Sequence, residues 1–260
     1  MTGPSIDLNA DVGEGSGHDE ELIPLVSSVN IACGAHAGDR QTMRDAVLLA
    51  KAHGVAIGAH PGFADRENFG RVEIAINPAA AGALVVGQLR LLRAVAVQCG
   101  ASVGHVKLHG ALYNMAARDR VLAQGICAAL LADSGGNAGL LVYALAGSAF
   151  IETARALGMS VIGEAFADRG YRADGSLVPR SEAGAVKASA DEAAAQALGI
   201  ARDRTVAAAN GDRLRLDADT ICIHGDGPCA VRLAGLVRTG LEASGIRIGP
   251  VSLPIKPAIT

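Results

Sequence analysis

The segment Asp7-Leu8-Asn9-Ala10-Asp11 alternates polar and apolar residues, so in a strand Asp7, Asn9 and Asp11 share one face. If that face points inward, three oxygen-bearing side chains converge near one mouth. Neighbouring carboxylates in a dry pocket drive their pKa values apart, and such a pair suits acid and base roles. Asp7 reads as a buried carboxylate satisfied by backbone groups. Asp11, close to the turn Gly13-Glu14-Gly15-Ser16-Gly17, reads as functional. Lys107 and His109 show the same two-residue spacing and share a face. A lysine beside a carboxylate can hold an anion or an oxyanion, and a histidine can move protons near neutral pH.

Other ionisable residues gather where short apolar runs stop: Asn30 and His36, His60, Glu164 with Asp168, and His224 with Asp226. His105 belongs with the strand-end histidines as well. One such histidine is as readily a loop hydrogen-bonder as a catalyst, but their scatter over several strand ends points to one shared site. Arg66 and Arg71 lie in a loop where a guanidinium fork can grip a carboxylate, although charge runs of this kind commonly face solvent. The Gly13–Gly17 turn lacks the Gly-Lys-Ser/Thr ending of a phosphate loop, so it reads as an active-site turn and no local motif supports ATP binding by this chain.

The elements that must position these groups alternate. Strand-like runs at 5–9, 27–33, 55–59, 102–107, 139–144, 159–163 and 220–223 are separated by helical patterns. Asp39 and Asn77-Pro78 supply helix starts, helices follow over 121–131, 150–157 and 191–202, and Pro228 opens the last one. A long polar loop is expected from Glu164 to about Ala190. Strands apolar on both faces mean a parallel sheet covered by helices. The expectation is one α/β domain over 1–260, a seven-stranded, mostly parallel, distorted TIM-type β/α barrel, with a doubly wound open sheet as the alternative.

Composition narrows the classes. Half the residues are hydrophobic, with no Trp, three Tyr and four Phe, so the core is expected to be aliphatic and an aromatic nucleic-acid platform is disfavoured. A net charge of -3, mixed along the chain, leaves no basic footprint for nucleic acid. Five widely spaced cysteines without CxxC argue against a disulfide framework or a structural zinc site. A polar start at Met1-Thr2-Gly3-Pro4 and no run of eighteen uncharged apolar residues lead to the expectation of a cytoplasmic protein off the membrane.

Several long blocks resemble the LamB/YcsF family: Leu8–Glu14 (LNADVGE), Asn30–Asp39 (NIACGAHAGD), Gly58–Gly62 (GAHPG), His105–Asn114 (HVKLHGALYN), Glu164–Tyr171 (EAFADRGY) and Ile223–Asp226 (IHGD). They run through nearly the whole chain in family order. The resemblance implies one component of an ATP-dependent 5-oxoprolinase, which with two partner subunits, B and C, converts 5-oxoproline to glutamate. It also implies a barrel like that of polysaccharide deacetylases. Leu108 stands where the family commonly has Pro, and Ala64 and Asn68 stand where Pro and Gly are expected, which bears on loop shape more than on chemistry.

Opening an unreactive lactam requires its carbonyl oxygen to be phosphorylated or strongly polarised before water attacks. With ATP as co-substrate of the complex, Asp11 is assigned as base and His60 and His109 as proton carriers or ligands. Lys107 stabilises the negative oxygen, and Glu164 is a further catalytic carboxylate. Asn9, Asn30, His36, Arg66, Arg71, Asp168, Arg169, His224 and Asp226 are expected to bind substrate. Two rivals stand beside this. One is a metal-dependent N-deacetylase with a divalent ion on Asp11, His60 and His109. The other is a non-catalytic scaffold within the complex.

Overall fold

The computed structural model describes residues 4–135, 139–227 and 229–251. Met1–Gly3 and Pro228, the expected start of the last helix, lie outside the described residues. In chain order the elements are β1 (Ser5–Val12), α1 (Asp19–Leu22), a 3-10 turn (Ile23–Leu25), β2 (Ser28–Ala32), α2 (Arg40–Ala52), β3 (Ala56–His60) and α3 (Pro78–Gln98). Then come β4 (His105–Lys107), α4 (Gly110–Arg118), α5 (Arg120–Asp133), β5 (Leu141–Leu145), α6 (Ala149–Ala156) and β6 (Ser160–Phe166). The chain continues through α7 (Ala190–Asp203), β7 (Thr205–Ala207), β8 (Arg213–Arg215), β9 (Thr220–His224), α8 (Ala230–Ala243) and β10 (Arg247–Ile248).

Strands β1-β2-β3-β4-β5-β6-β9 pair in that order, all parallel, and β9 pairs back onto β1 to close a seven-stranded barrel. This is the barrel expected from the sequence. The short β10 adds beside β1, and β7 and β8 form a separate antiparallel hairpin. Asp39 and Asn77 cap α2 and α3, each side chain accepting from a backbone N–H at 2.8 Å.

Three local expectations change. β1 runs on to Val12, so Asp11 sits within the strand. Gly110–Arg118 forms a helix immediately after His109, where the sequence reading went straight to the helix near 121. The stretch before β9 carries the β7–β8 hairpin, which is too short and charged to show an alternating pattern.

Outward-facing Leu8, Ala10, Val29, Ile31, Ala59, Val106, Val142, Ala165, Ile221 and Ile223 pack under the helices in one aliphatic core. Among the described helices, α3 alone has the length and apolarity of a membrane span, with mean hydropathy 1.5. It is a barrel helix, burying Val85, Leu89 and Leu92. It crosses α5 so closely that a Cβ on Gly82 would lie 2.6 Å from Ala129 Cβ. The barrel interior departs from the aliphatic expectation. The register aligns Asp7 with Thr220, Asn9 with Ser28 and Cys222, and Asp11 with Asn30 and His224. Side chains of like parity point inward together, so the lumen is filled with polar groups.

Candidate active site

The lumen is layered. At the bottom Asp7 accepts from four hydroxyls, those of Ser27 (2.6 Å), Ser28 (2.7 Å), Thr220 (2.6 Å) and Tyr143 (3.1 Å). The hydroxyls replace the backbone partners expected for it. Burial raises the Asp7 carboxyl above its ordinary value despite those bonds. Asp7 thus lies two layers below the mouth, apart from Asp11.

In the middle layer the Asn30 amide donates to Asn9 Oδ1 (2.7 Å) and Asp11 Oδ1 (2.8 Å), and its own Oδ1 lies 2.9 Å from His105 Nε2. His105 stacks on Tyr143 at 4.2 Å between centroids. Burial, with the nearby Lys107 charge, pushes its pKa down to about 3. The ring fits because residue 58 is glycine: a Cβ there would fall 2.0 Å from His105 Nε2. Asn9, in turn, donates to Thr220 Oγ1 (2.7 Å) and Glu164 Oε1 (3.1 Å). Asn9 and Asn30 therefore form the bed under the site.

At the top of this bed the Lys107 ammonium lies 2.9 Å from Asp11 Oδ1, 2.8 Å from Glu164 Oε1 and 2.9 Å from Cys222 Sγ. Burial alone would lower Lys107, but the Asp11 charge and its neighbours outweigh it and hold the ammonium well above the ordinary lysine value. Burial likewise opposes ionisation of Asp11, yet His60 and Lys107 hold its carboxyl well below the usual range. Glu164 is wholly buried, and Tyr113 donates to its second oxygen at 2.8 Å.

Beside Asp11 a second group assembles from the ends of β1, β3 and β4 and the loop after β2. Glu14 Oε1 lies 3.0 Å from His36 Nε2, 3.3 Å from His109 Nδ1 and 3.8 Å from His60 Nε2. His60 Nε2 is also 3.3 Å from Asp11 Oδ2 and 3.0 Å from His109 Nδ1. Burial pushes His36 down to about 4 and lowers His109 as well. His60 is raised, because the Asp11 carboxylate outweighs its burial.

A cavity of about 730 Å3 opens above, lined by Asp11, His60, Lys107, His109 and His224. Its lining also includes Arg71, Arg118, Arg172, Arg180 and Arg215, the buried Arg169, and the carboxylates Glu73 and Asp174. His224 is oriented by Asp168, both of whose oxygens lie 2.9 Å from Nδ1. Arg71 pairs with Asp226 at 2.5 Å. Arg169 donates to the carbonyls of Ala185 and Val178, and burial with the Arg180 charge lowers it to about 10.

Asp11, His60, Lys107, His109, Arg71, Arg169 and His224 are thus brought to one cavity, with Asp168 and Asp226 behind His224 and Arg71. Glu164, Asn9 and Asn30 lie beneath it. Arg66 is not in the site: it is exposed and donates to the carbonyls of Gly34 and Gly38, tying two surface loops together. His36 joins the Glu14 group and does not line the cavity. Sequence reasoning left Tyr113 and Cys222 off the site and placed Glu14 in an active-site turn without giving it a role. Cys222 was detectable from parity, being two residues before His224 on one strand. Glu14 was visible only as part of a polar turn, and Tyr113 sits on the unexpected α4.

These features define a closed parallel β/α barrel whose ionisable groups converge at the carboxyl ends of its strands, the place of the active site in such barrels. The LamB/YcsF family profile matches residues 6–256, and the chain belongs to that family. It is 49% identical over 250 residues to the A component of 5-oxoprolinase from Bordetella parapertussis, spanning 94% of this chain and 98% of that protein. The protein of the same name from Bordetella pertussis matches to the same extent. The crystal structure of a lactam utilization protein from Thermus thermophilus superposes with a TM-score of 0.87 at 44% identity, covering 95% of this chain and 100% of that one. A polysaccharide deacetylase from Bacillus cereus has a TM-score of 0.50 at 14% identity over 96% and 93% of the two chains, a likeness of fold alone.

Proposed function

We propose that this chain is the ring-opening component of an ATP-dependent 5-oxoprolinase, hydrolysing the lactam of 5-oxo-L-proline to L-glutamate together with subunits B and C. The names of the Bordetella relatives and the Thermus lactam utilization protein support the substrate class. The observation that carries the chemistry is the buried Asp11–Lys107–Glu164 group at the floor of an arginine-lined cavity.

In this reading ATP transfers a phosphoryl group to the lactam oxygen, water adds to the activated carbon, the ring C–N bond breaks as the nitrogen takes a proton, and a second water releases phosphate from the resulting γ-glutamyl phosphate. Lactam, ATP and two waters become glutamate, ADP and phosphate. The cavity has more room than one lactam ring fills, and guanidinium groups in its lining suit a phosphorylated substrate. Asp11 Oδ2, free of Lys107 and Asn30, faces His60 and the cavity and acts as base for the water, with His60 and His109 beside it as proton carriers or as ligands. Lys107 stabilises the negative oxygen. Glu164 is a positioning residue, holding Lys107 from behind, and Asp168 positions His224. ATP is left mainly to the partners, since this chain carries no phosphate-loop motif.

The deciding experiment is glutamate release from 5-oxoproline by the chain alone, by subunits B and C alone, and by all three with ATP. Turnover is expected only with all three. Ring opening by the pure single chain would overturn the division of labour. Acetate release from an N-acetyl sugar without lactam turnover would favour a deacetylase, and full turnover with Asp11→Asn in the assembly would leave a scaffold.

A further inference from the structure

We propose that Glu14, His36, His60 and His109 form a binding site for one divalent first-row transition ion of zinc type. The proposal stands on these four side chains and their immediate surroundings and does not depend on which substrate the cavity takes.

The spacing comes first. Zinc bonded to histidine nitrogen and carboxylate oxygen at roughly 2.0–2.2 Å in a tetrahedron sets its donors roughly 3.3 Å apart. The separations are 3.0, 3.3 and 3.8 Å from Glu14 Oε1 to the three histidine nitrogens, and 3.0 Å between His60 Nε2 and His109 Nδ1. All four donor atoms lie within 4.8 Å of one another. Three nitrogens and one carboxylate oxygen are a donor set of zinc and its first-row neighbours.

The proton positions come second. His60 Nδ1 is 2.9 Å from the Lys107 carbonyl, and His109 Nε2 is 2.8 Å from the Phe69 carbonyl. A carbonyl only accepts, so each of those nitrogens carries the hydrogen. In the neutral rings the lone pairs of His60 Nε2 and His109 Nδ1 then face each other across 3.0 Å. Such facing lone pairs need either a shared proton or a metal ion between them, and backbone carbonyls that fix the tautomer from behind are the usual outer support of a metal-bound histidine.

Rigidity and charge come third. His36 and His109 stack with planes 1° apart and centroids 3.7 Å apart. Gly62 and Gly70 close around the pair: a Cβ on Gly70 would lie 2.9 Å from His36 Cβ, and one on Gly62 3.0 Å from His109 Cβ. Formally, the side chains of Asp11, Glu14 and Glu164, each at most 4% exposed, bring three negative charges against the one ammonium of Lys107, and a divalent ion makes the set neutral. A second donor group, Asp11 with Cys222 and His224, is already served, because Lys107 Nζ lies 2.9 Å from both Asp11 Oδ1 and Cys222 Sγ. The ion therefore belongs on Glu14 and His36 with His60 and His109, and Asp11 stays with Lys107.

The test uses the full-length chain, stripped with chelator and then titrated with zinc chloride, with metal content and melting temperature read on the same samples. Cobalt chloride gives a visible spectrum that reports nitrogen and oxygen ligation. One ion per chain, a raised melting temperature and a tetrahedral cobalt spectrum are expected. His36→Ala and His109→Ala should weaken zinc at least about tenfold, as should the near-isosteric Glu14→Gln, which keeps the test alive where a histidine variant fails to fold. Asp45→Asn on the exposed face of α2 should bind as the parent does. A folded parent chain that takes up no zinc overturns the proposal, and so does undiminished binding by folded Glu14→Gln and His36→Ala.

Discussion

The Lys107 ammonium lies 2.9 Å from Asp11 Oδ1, and both side chains are almost wholly withdrawn from solvent, at 2% and 4% exposure. From sequence both groups belong at an open mouth, where substitution would leave folding untouched. Their burial changes that. Removing one member of a buried ion pair leaves the other charged and unpaired, which costs about 3–5 kcal/mol.

Lys107→Met is therefore expected to destabilise the protein by several kcal/mol, on the order of 3–5, because it strands Asp11 and Glu164 together. In the assembled enzyme it should also lose at least about a hundredfold in rate. Asp11→Asn keeps an oxygen for the Lys107 ammonium and should destabilise less, while losing at least about a hundredfold in turnover. Denaturant midpoints and turnover on the same samples separate the two effects. An early-melting Asp11→Asn whose folded fraction keeps full turnover would make Asp11 structural and pass the base role to His60.

Gly58→Ala should destabilise by roughly 1–3 kcal/mol or more, since the new Cβ meets the His105 ring in a space closed by Tyr143. Adding His105→Ala removes the collision, so the double variant should be more stable than the two single losses added together. Simple additivity in a thermal-melt cycle would show that the ring has another place to go.

Acid stability follows from His105. Its pKa is about 3 in the folded protein and about 6.5 when unfolded, so between those values the unfolded chain binds the extra proton. The stabilisation is complete above about pH 6.5 and is lost as the pH falls toward 3, at up to about 1.4 kcal/mol per pH unit. Urea titrations at pH 6.5 and 5.0 should show the parent losing about 2 kcal/mol more than His105→Gln. Equal losses would mean that the ring protonates in place.

Asp168→Asn removes the carboxylate that holds His224 Nδ1 through both oxygens. Turnover of the assembled enzyme should fall by at least about tenfold with a shifted pH profile. Its melting temperature should change little, because the pair sits at the solvent-reached rim. An unchanged pH profile would reduce Asp168 to a loop contact.

The sequence by itself determined the seven strands, their parallel pairing and the parity that sends Asp7, Asn9 and Asp11 to one face, while closure of β9 onto β1, in place of an open doubly wound sheet, was decided by the tertiary structure. Period-two alternation and aliphatic runs flanked by helix signals are local properties, legible residue by residue. It also placed His60, Lys107, His109 and His224 at strand ends. Depth and neighbourhood were decided by the tertiary structure. Barrel stagger puts Asp7 against Thr220 and Asp11 against His224, which separates two residues of one face into different layers. Whether Arg66 reaches the cavity or caps the Gly34 and Gly38 carbonyls depends on a loop's path, and loop paths follow from packing rather than from spacing. Glu14 joins His36, His60 and His109 only because four segments distant in the chain meet at one rim, a convergence that no local pattern encodes.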